Sequence, residues 1–480
     1  MREFPVLLLV LVTSFRCGNS QQAGVKFKLN PNGVGVFNDL GFREVTRINK
    51  TLLNNLIGSV EIGDGLTLEY QFTNNYLQNI EYVGVKTTSM ISPNYLFVVG
   101  RGGYMEVDGD FTLTIKSNGV IQQTISDKYA GVSFNSATGV VFEIDVSDGF
   151  ITMSDIQCEH FCGMFSVSLD GTKELGFSVD PIEDAMKAHL VQQVCDVFIP
   201  KLTSQLNEVF LDTLLYMDLT GPMNGTRVDF SLLPDEIEIV DNNVLLFAVT
   251  GKVYPVSNPS VEYPYQIGEF PEFSVTSQMA QMLISDYHLR SLFHSMHDSG
   301  QLEFEIPDSS IPRVLGRSVG SLISLLIPGF RPYANMPLTF TARSSEVPTF
   351  EVDENSLKIN GSFDFALMVQ LESGEDFEAM AIDARFTAVG DVISTENAIG
   401  INLDDIKFDL ELSRSNVGEF PFGIIEASLQ GILPTFVKTT MNEILNQGVT
   451  IPEFLTMELY NLNATKRKNA LEITADLRIN

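Results

Sequence analysis

The sequence predicts an α+β fold made of two successive halves, each an antiparallel sheet accompanied by a long helix. Two blocks of residues alternate apolar and polar at period two, from Gly65 to Leu169 and from Leu338 to Leu412. Each block is followed by a stretch of helical period, Pro181 to about Met217 and Phe422 to Asn446. Between the halves lies a Pro- and Tyr-rich stretch, Tyr254 to Phe273, that has little periodicity and reads as an extended linker.

The elements follow in chain order. Residues 1–20 carry Arg2, an apolar run from Phe4 to Val12 and a polar end, with the small residues Gly18 and Ser20 placed for cleavage before Gln21. This is a secretory leader, too short to span a bilayer. No later segment stays apolar for the roughly 18 residues a membrane helix needs, so the mature chain is expected to be secreted and extracellular.

Val25 to Val36 reads as strand. Asp39 to Leu56 reads as an amphipathic helix with Phe42, Val45, Ile48, Leu52 and Leu56 on one face. Alternation over Leu66 to Phe72, Phe111 to Ile115 and Val140 to Val146, punctuated by Gly, Asn and Asp, gives antiparallel strands and turns. Pro181 opens a helix whose broad apolar face holds Met186, Leu190, Val194, Val197, Leu202, Leu206, Val209 and Phe210, and Pro200 should kink it. Strands return at Arg227–Phe230, Glu236–Val240 and Val244–Val253.

Past the linker the same grammar repeats. A helical segment (Gln278–His297) precedes a strand (Leu302–Ile306), a helix (Ile311–Ile327) and the second alternating block. The long helix Phe422–Asn446 follows, then strands Thr456–Leu462 and Leu471–Ile479. The expected organisation is a leader (1–20), an N-terminal unit (21–253), a linker (254–273) and a C-terminal unit (274–480).

Charge narrows the partners. With 30 basic and 61 acidic residues the chain carries −31, which argues against nucleic acid and against attraction to anionic membranes. A composition of 44% hydrophobic residues, with 34 Phe and no Trp, supplies a large apolar interior. Four N-x-Ser/Thr sequons, at Asn49, Asn224, Asn360 and Asn463, agree with secretion. Once Cys17 leaves with the leader, Cys158, Cys162 and Cys195 remain: one disulfide and one spare thiol.

Candidate catalytic patterns are weak. Gly316-Arg317-Ser318-Val319-Gly320 matches G-x-S-x-G, but that motif works as a strand-to-helix elbow and here lies inside a helical stretch. His288, His294, His297 and Asp298 lack a complete zinc ligand set, and Asp353-Glu354 and Asp404-Asp405 lack calcium-loop spacing. No enzyme activity, cofactor or metal is expected. Met217, Met279, Met282 and Met296 are read as core or as adaptable pocket lining.

Several stretches resemble the family of bactericidal/permeability-increasing protein (BPI), lipopolysaccharide-binding protein and the plasma lipid-transfer proteins. They are Ser415-Asn416-Val417-Gly418-Glu419-Phe420-Pro421, then Ile451-Pro452 and Leu459-Tyr460-Asn461. Ile284-Ser285-Asp286-Tyr287 with Gly300-Gln301-Leu302 and Ile311-Pro312 is similar to the block that opens the family's C-terminal barrel, and Tyr333-Ala334-Asn335-Met336 resembles another of its segments. The resemblance implies an elongated boomerang of two barrels, each a twisted sheet round a long helix, joined by a central sheet. It implies apolar pockets for the acyl chains of phospholipids or similar lipids as ligand, with Leu190, Val194, Val197, Leu202, Met279, Met282, Ile424, Leu429 and Leu433 lining them.

It also implies a disulfide between Cys158 and Cys195, with Cys162–Cys195 as the open alternative. The expected protein is a monomeric carrier that touches membranes or lipoprotein surfaces transiently. An innate-immune protein binding bacterial lipids such as lipopolysaccharide is the other reading. The family's endotoxin binders carry basic tip turns; the turns expected to correspond, Gly58–Gly65 and Gly100–Gly109, hold Glu61, Asp64, Glu106 and Asp108 against Arg101 alone.

Overall fold

The computed structural model describes residues 23–36, 39, 48, 50–63, 65–84, 86–91, 94–171, 178–211, 216–219, 223–240, 244–265, 268–307, 319–394, 398–446, 449–450 and 457–479. The leader, Asn49, Asp64, Gly316–Ser318, Ile451-Pro452 and the side chain of Ile424 lie outside the described residues.

The fold is α+β. In the N-terminal half, strands Leu66–Tyr82, Tyr95–Ser117, Val120–Ser147 and Phe150–Phe161 form the body of an antiparallel sheet, and Leu56–Gly63, Lys86–Ile91 and Met164–Leu169 pair along its margins. Two hairpins close through Asn118-Gly119 (φ 49° and 80°) and Asp148-Gly149 (φ 53° and 85°). Positive φ at both central positions matches the right-handed twist of the flanking strands, which is why Asn-Gly and Asp-Gly stand there.

A helix from Asp180 to Leu211 packs its buried Ile182, Met186 and Leu190 against the inner face of this sheet. It is interrupted by a π-turn at Val194–Phe198. The expected disturbance at Pro200 takes this form: its ring lacks an N–H and crowds the carbonyl four residues back, and the wider turn relieves both. Cys195 in the π-turn is bonded to Cys158 on Phe150–Phe161, with Cα atoms 5.6 Å apart, and Cys162 is a buried free thiol. Replacing both bridged cysteines with serine is expected to cost about 2–4 kcal/mol, read as a lower denaturant midpoint.

A six-stranded central sheet joins the halves in the order Glu238–Val240, Val244–Val249, Val25–Leu29, Ala280–Ser285, Ala470–Ile479, Met457–Arg467. Val25–Leu29 pairs with Val244–Val249 on one side and Ala280–Ser285 on the other. The C-terminal sheet runs Glu303–Pro307, Leu338–Val352, Leu357–Gln370, Asp376–Ser394, Ala398–Ser415, Val449–Thr450, with helix Phe422–Leu445 lying along Ala398–Ser415.

Several expected elements are corrected. The strand expected to reach Val36 stops at Leu29, because Asn30 caps a helical turn from Pro31: its Oδ1 accepts from the N–H groups of Asn32 and Gly33, both at 3.0 Å. The helix expected over Asp39–Leu56 does not extend through it, since Leu52 lies in strand Thr51–Leu52 and Leu56 opens strand Leu56–Gly63. Phe42 and Val45 lie outside the described residues.

The helix expected over Gln278–His297 is a strand, Ala280–Ser285, and then a helix, Asp286–Asp298. Met282 therefore belongs to the central sheet, and Met279 immediately precedes its strand. Met217 lies in strand Tyr216–Asp218. Gly251 (φ 61°) breaks Val244–Val253 into strands Val244–Val249 and Lys252–Pro255 of different sheets. Gly100–Gly109 is no turn but the interior of Tyr95–Ser117.

Candidate functional site: the apolar interiors of the two halves

In the C-terminal half the buried apolar residues form two separate clusters. One gathers Ile327, Phe330, Leu367, Val369 and Leu410; the other Phe350, Leu357, Ile359, Leu403 and Ile406. Between them run phenylalanines only half buried: Phe304, Phe363, Phe386 and Phe408 are linked ring to ring at 6.2, 5.6 and 6.2 Å, and Phe365 lies 6.1 Å from Phe363. Phe363 and Phe365 alternate along their strand with the same set as buried Ile359 and Leu367, so they face inward.

Gly361 on the same strand leaves room for the ladder, since a Cβ there would lie 2.5 Å from the Phe386 ring. From the helix, Leu429 and Leu433 pack on the first cluster and Val437 and Met441 on the second, all half buried. The ion pairs Arg385–Asp409 and Arg343–Glu303 join exposed side chains on the opposite face. The result is an inner surface of rings and branched chains that are shielded but not fully packed, which suits hydrocarbon.

The N-terminal half is packed differently. Leu190, Val194 and Leu202 are 1, 0 and 6% exposed and belong to one large cluster that also takes in Met279, Met282 and Val197. The six expected residues are thus brought together, but they divide into two kinds. Leu190, Val194 and Leu202 are buried core. Val197 on the helix and Met279 and Met282 towards the central sheet are half buried, Met282 standing opposite Phe27, whose ring stacks on Phe247 at 4.8 Å. Leu190→Ala is therefore expected to cost about 2–5 kcal/mol of stability, whereas Leu433→Ala should cost far less; chemical denaturation of both variants checks this.

One polar string enters the N-terminal interior. The Tyr82 hydroxyl pairs with Thr138, and Thr138 Oγ1 lies 2.8 Å from His160 Nδ1. Burial pushes Tyr82 up to about 12 and His160 down to about 4, and His160 Nε2 is buried without a hydrogen-bond partner. Because the folded value lies below 6.5, the unfolded chain takes up the proton first as pH falls. Stability should be full above about pH 6.5 and decline towards pH 4, and His160→Phe should flatten that part of a melting-temperature profile.

Two of the histidines considered as metal ligands make other contacts, one to the linker and one to the strand break before it. His294 Nδ1 lies 2.8 Å from the Tyr265 hydroxyl and its Nε2 3.5 Å from Asp298, while His288 Nδ1 meets the Gly251 carbonyl at 2.6 Å. Of the sequons, Asn224 and Asn463 are exposed, and Asn360 is half buried in cross-strand hydrogen bonds with Thr349 and Thr387.

A sequence profile of the LBP / BPI / CETP family, C-terminal domain, matches residues 225–479, more than half of the chain. The chain belongs to this family. Lipopolysaccharide-binding protein of Mus musculus is 22% identical over 497 residues, covering 98% of this chain and 97% of that protein. BPI fold-containing family B member 4 of Homo sapiens is 23% identical over 291 residues, 59% of this chain but only 46% of that relative. A crystal structure of lipopolysaccharide binding protein superposes with a TM-score of 0.55 at 19% identity, covering 95% of this chain and 99% of that one, and so shares the fold. The phenylalanine ladder and Phe27 were missed as site residues in the sequence, although Phe363-x-Phe365 and the excess of Phe over other aromatics signalled an inward apolar face.

Proposed function

We propose that this LBP / BPI / CETP family member is a secreted, monomeric carrier of phospholipids or similar acyl-chain lipids, without catalytic activity. The observation that carries the reading is the half-buried ladder Phe304–Phe363–Phe386–Phe408 between two closed apolar clusters. Each methylene moved from water into such an interior contributes about 0.8 kcal/mol, so affinity needs no charged or catalytic group. The leader pattern and sequons support export, and among the described residues no helix is long and apolar enough to cross a membrane.

Mass spectrometry of organic extracts of the native protein tests this: one or two acyl-chain lipids per half are expected. An extract free of lipid would overturn it. The names of the relatives favour a second reading, lipopolysaccharide binding, which the charges of the N-terminal tip oppose.

A further inference from the structure

The outer face of the N-terminal sheet carries an apolar patch that the interior sites do not use. Phe134, Phe161 and Met164 are 48, 63 and 67% exposed. They stand together: Phe134 is directly opposite Met164, Phe161 is opposite Ala137, and the Tyr104 ring lies 5.3 Å from Phe134. Phe134 and Asn135 bulge outward between Ser133 and Ser136, which are buried and bonded to each other at 2.7 Å, Ser133 also lying 3.2 Å from Cys162 Sγ. The patch therefore faces away from the barrel interior.

The backbone is bent to present it. Along Val120–Ser147 the neighbouring strand changes from Met164–Leu169 to Phe150–Phe161 between Phe134 and Ala137. Asn135 holds a left-handed conformation (φ 57°) there, and Gly163 passes so close that a Cβ would sit 2.0 Å from the Phe134 carbonyl oxygen. An irregularity of this kind re-aims side chains at some cost in pairing.

The geometry points to a second lipid contact: the Phe134–Phe161–Met164 patch docks the protein on the surface of a zwitterionic membrane or lipid particle. It rests on the reading of the protein as a lipid carrier, which must meet the surfaces it exchanges with. Size decides the occupant. Three large side chains exposed to this degree offer on the order of 400 Å², at the level where patches on monomers serve binding. That is about half of the roughly 800 Å² per partner that a stable protein interface takes, so a second copy is not held by it. A lipid surface needs no shape complementarity and accepts aromatic rings and a methionine at headgroup depth. Arg101 is exposed on the same face, in register with Ala137, and can reach lipid phosphate; Glu106 and Glu159 at the margin oppose a strongly anionic surface.

The chain contains no Trp, so Phe161→Trp creates a sole indole reporter at the patch. With phosphatidylcholine vesicles its emission should shift to the blue and be quenched by brominated acyl chains. The variant Phe134→Ser/Phe161→Ser/Met164→Ser should float with the same vesicles at least about tenfold more weakly than wild type, with unchanged melting temperature. Extracted lipid, measured on the same samples, reports interior carriage separately. Weakened flotation with full lipid content supports the patch as the docking site. Equal flotation, an unquenched indole, or a wild-type dimer in light scattering that the triple variant abolishes would each overturn it, whatever the lipid content.

Discussion

Replacing Phe386 with glutamate is expected to empty the C-terminal half of lipid while the N-terminal half stays loaded. Phe386 sits mid-ladder, between Phe363 at 5.6 Å and Phe408 at 6.2 Å. A carboxylate there must either keep its water, which displaces hydrocarbon from the neighbouring rings, or be buried against several kcal/mol of desolvation. Either outcome removes the advantage of the site for an acyl chain. The fold should tolerate the change better than it would at Phe350, which is 0% exposed and closes one end of the interior. Arg385→Glu, one residue away on the outward face, is the control and should leave the lipid untouched. If the two halves carry equally, lipid recovered per chain should fall by about half, on the same transfer scale that predicts its binding. Undiminished lipid in Phe386→Glu would show that the ladder is not where lipid sits.

The sheets and long helices were legible because period-two and period-3.6 patterns are sustained over many residues: Phe363 to Val369 and Ile182 to Leu190 each fit one template only. Short segments were not. Ile48, Leu52 and Leu56 are four apart, a spacing that shares a helix face but also a strand face, and strand pairing of Thr51–Leu52 with Tyr76 and Leu77 decided the matter. Asn30-Pro31 is a helix start visible in the sequence, and the strand reading of Val25 to Val36 runs past it. At the site, the pattern located apolar faces without separating closed core from accessible wall. Leu190 and Val197 share a helix face, yet one is 1% exposed and the other half buried, because only the fold determines which neighbour covers each. The bulge that exposes Phe134 depends on pairing between residues 134–137 and 161–164, which no local pattern encodes.

Lipopolysaccharide is expected to bind this protein weakly and with little dependence on salt, although proteins named for that activity are among its relatives. At the N-terminal tip the turn ending at Gly65 meets the Asn118-Gly119 hairpin, the Asn118 N–H reaching the Gly65 carbonyl at 3.4 Å. Lys116 beside it is held by Glu69 at 2.6 Å, and Glu61 is exposed. Arg101 does not belong to this tip, since it lies far along the interior of Tyr95–Ser117. Screening over about 8 Å at physiological salt makes these near charges, rather than the net −31, decide an encounter with lipid A phosphates. The tip therefore has no free cation cluster among the described residues. Glu61→Lys combined with Glu69→Gln would add one lysine and release Lys116. Each lysine near an anionic surface is worth on the order of 1 kcal/mol, so the variant should gain binding to anionic vesicles at low salt and lose that gain at high salt. Surface plasmon resonance on immobilised lipopolysaccharide at two salt concentrations tests the native protein. Sub-micromolar affinity that collapses with salt would reveal a basic site elsewhere on the surface and would restore the reading as a binder of bacterial lipids.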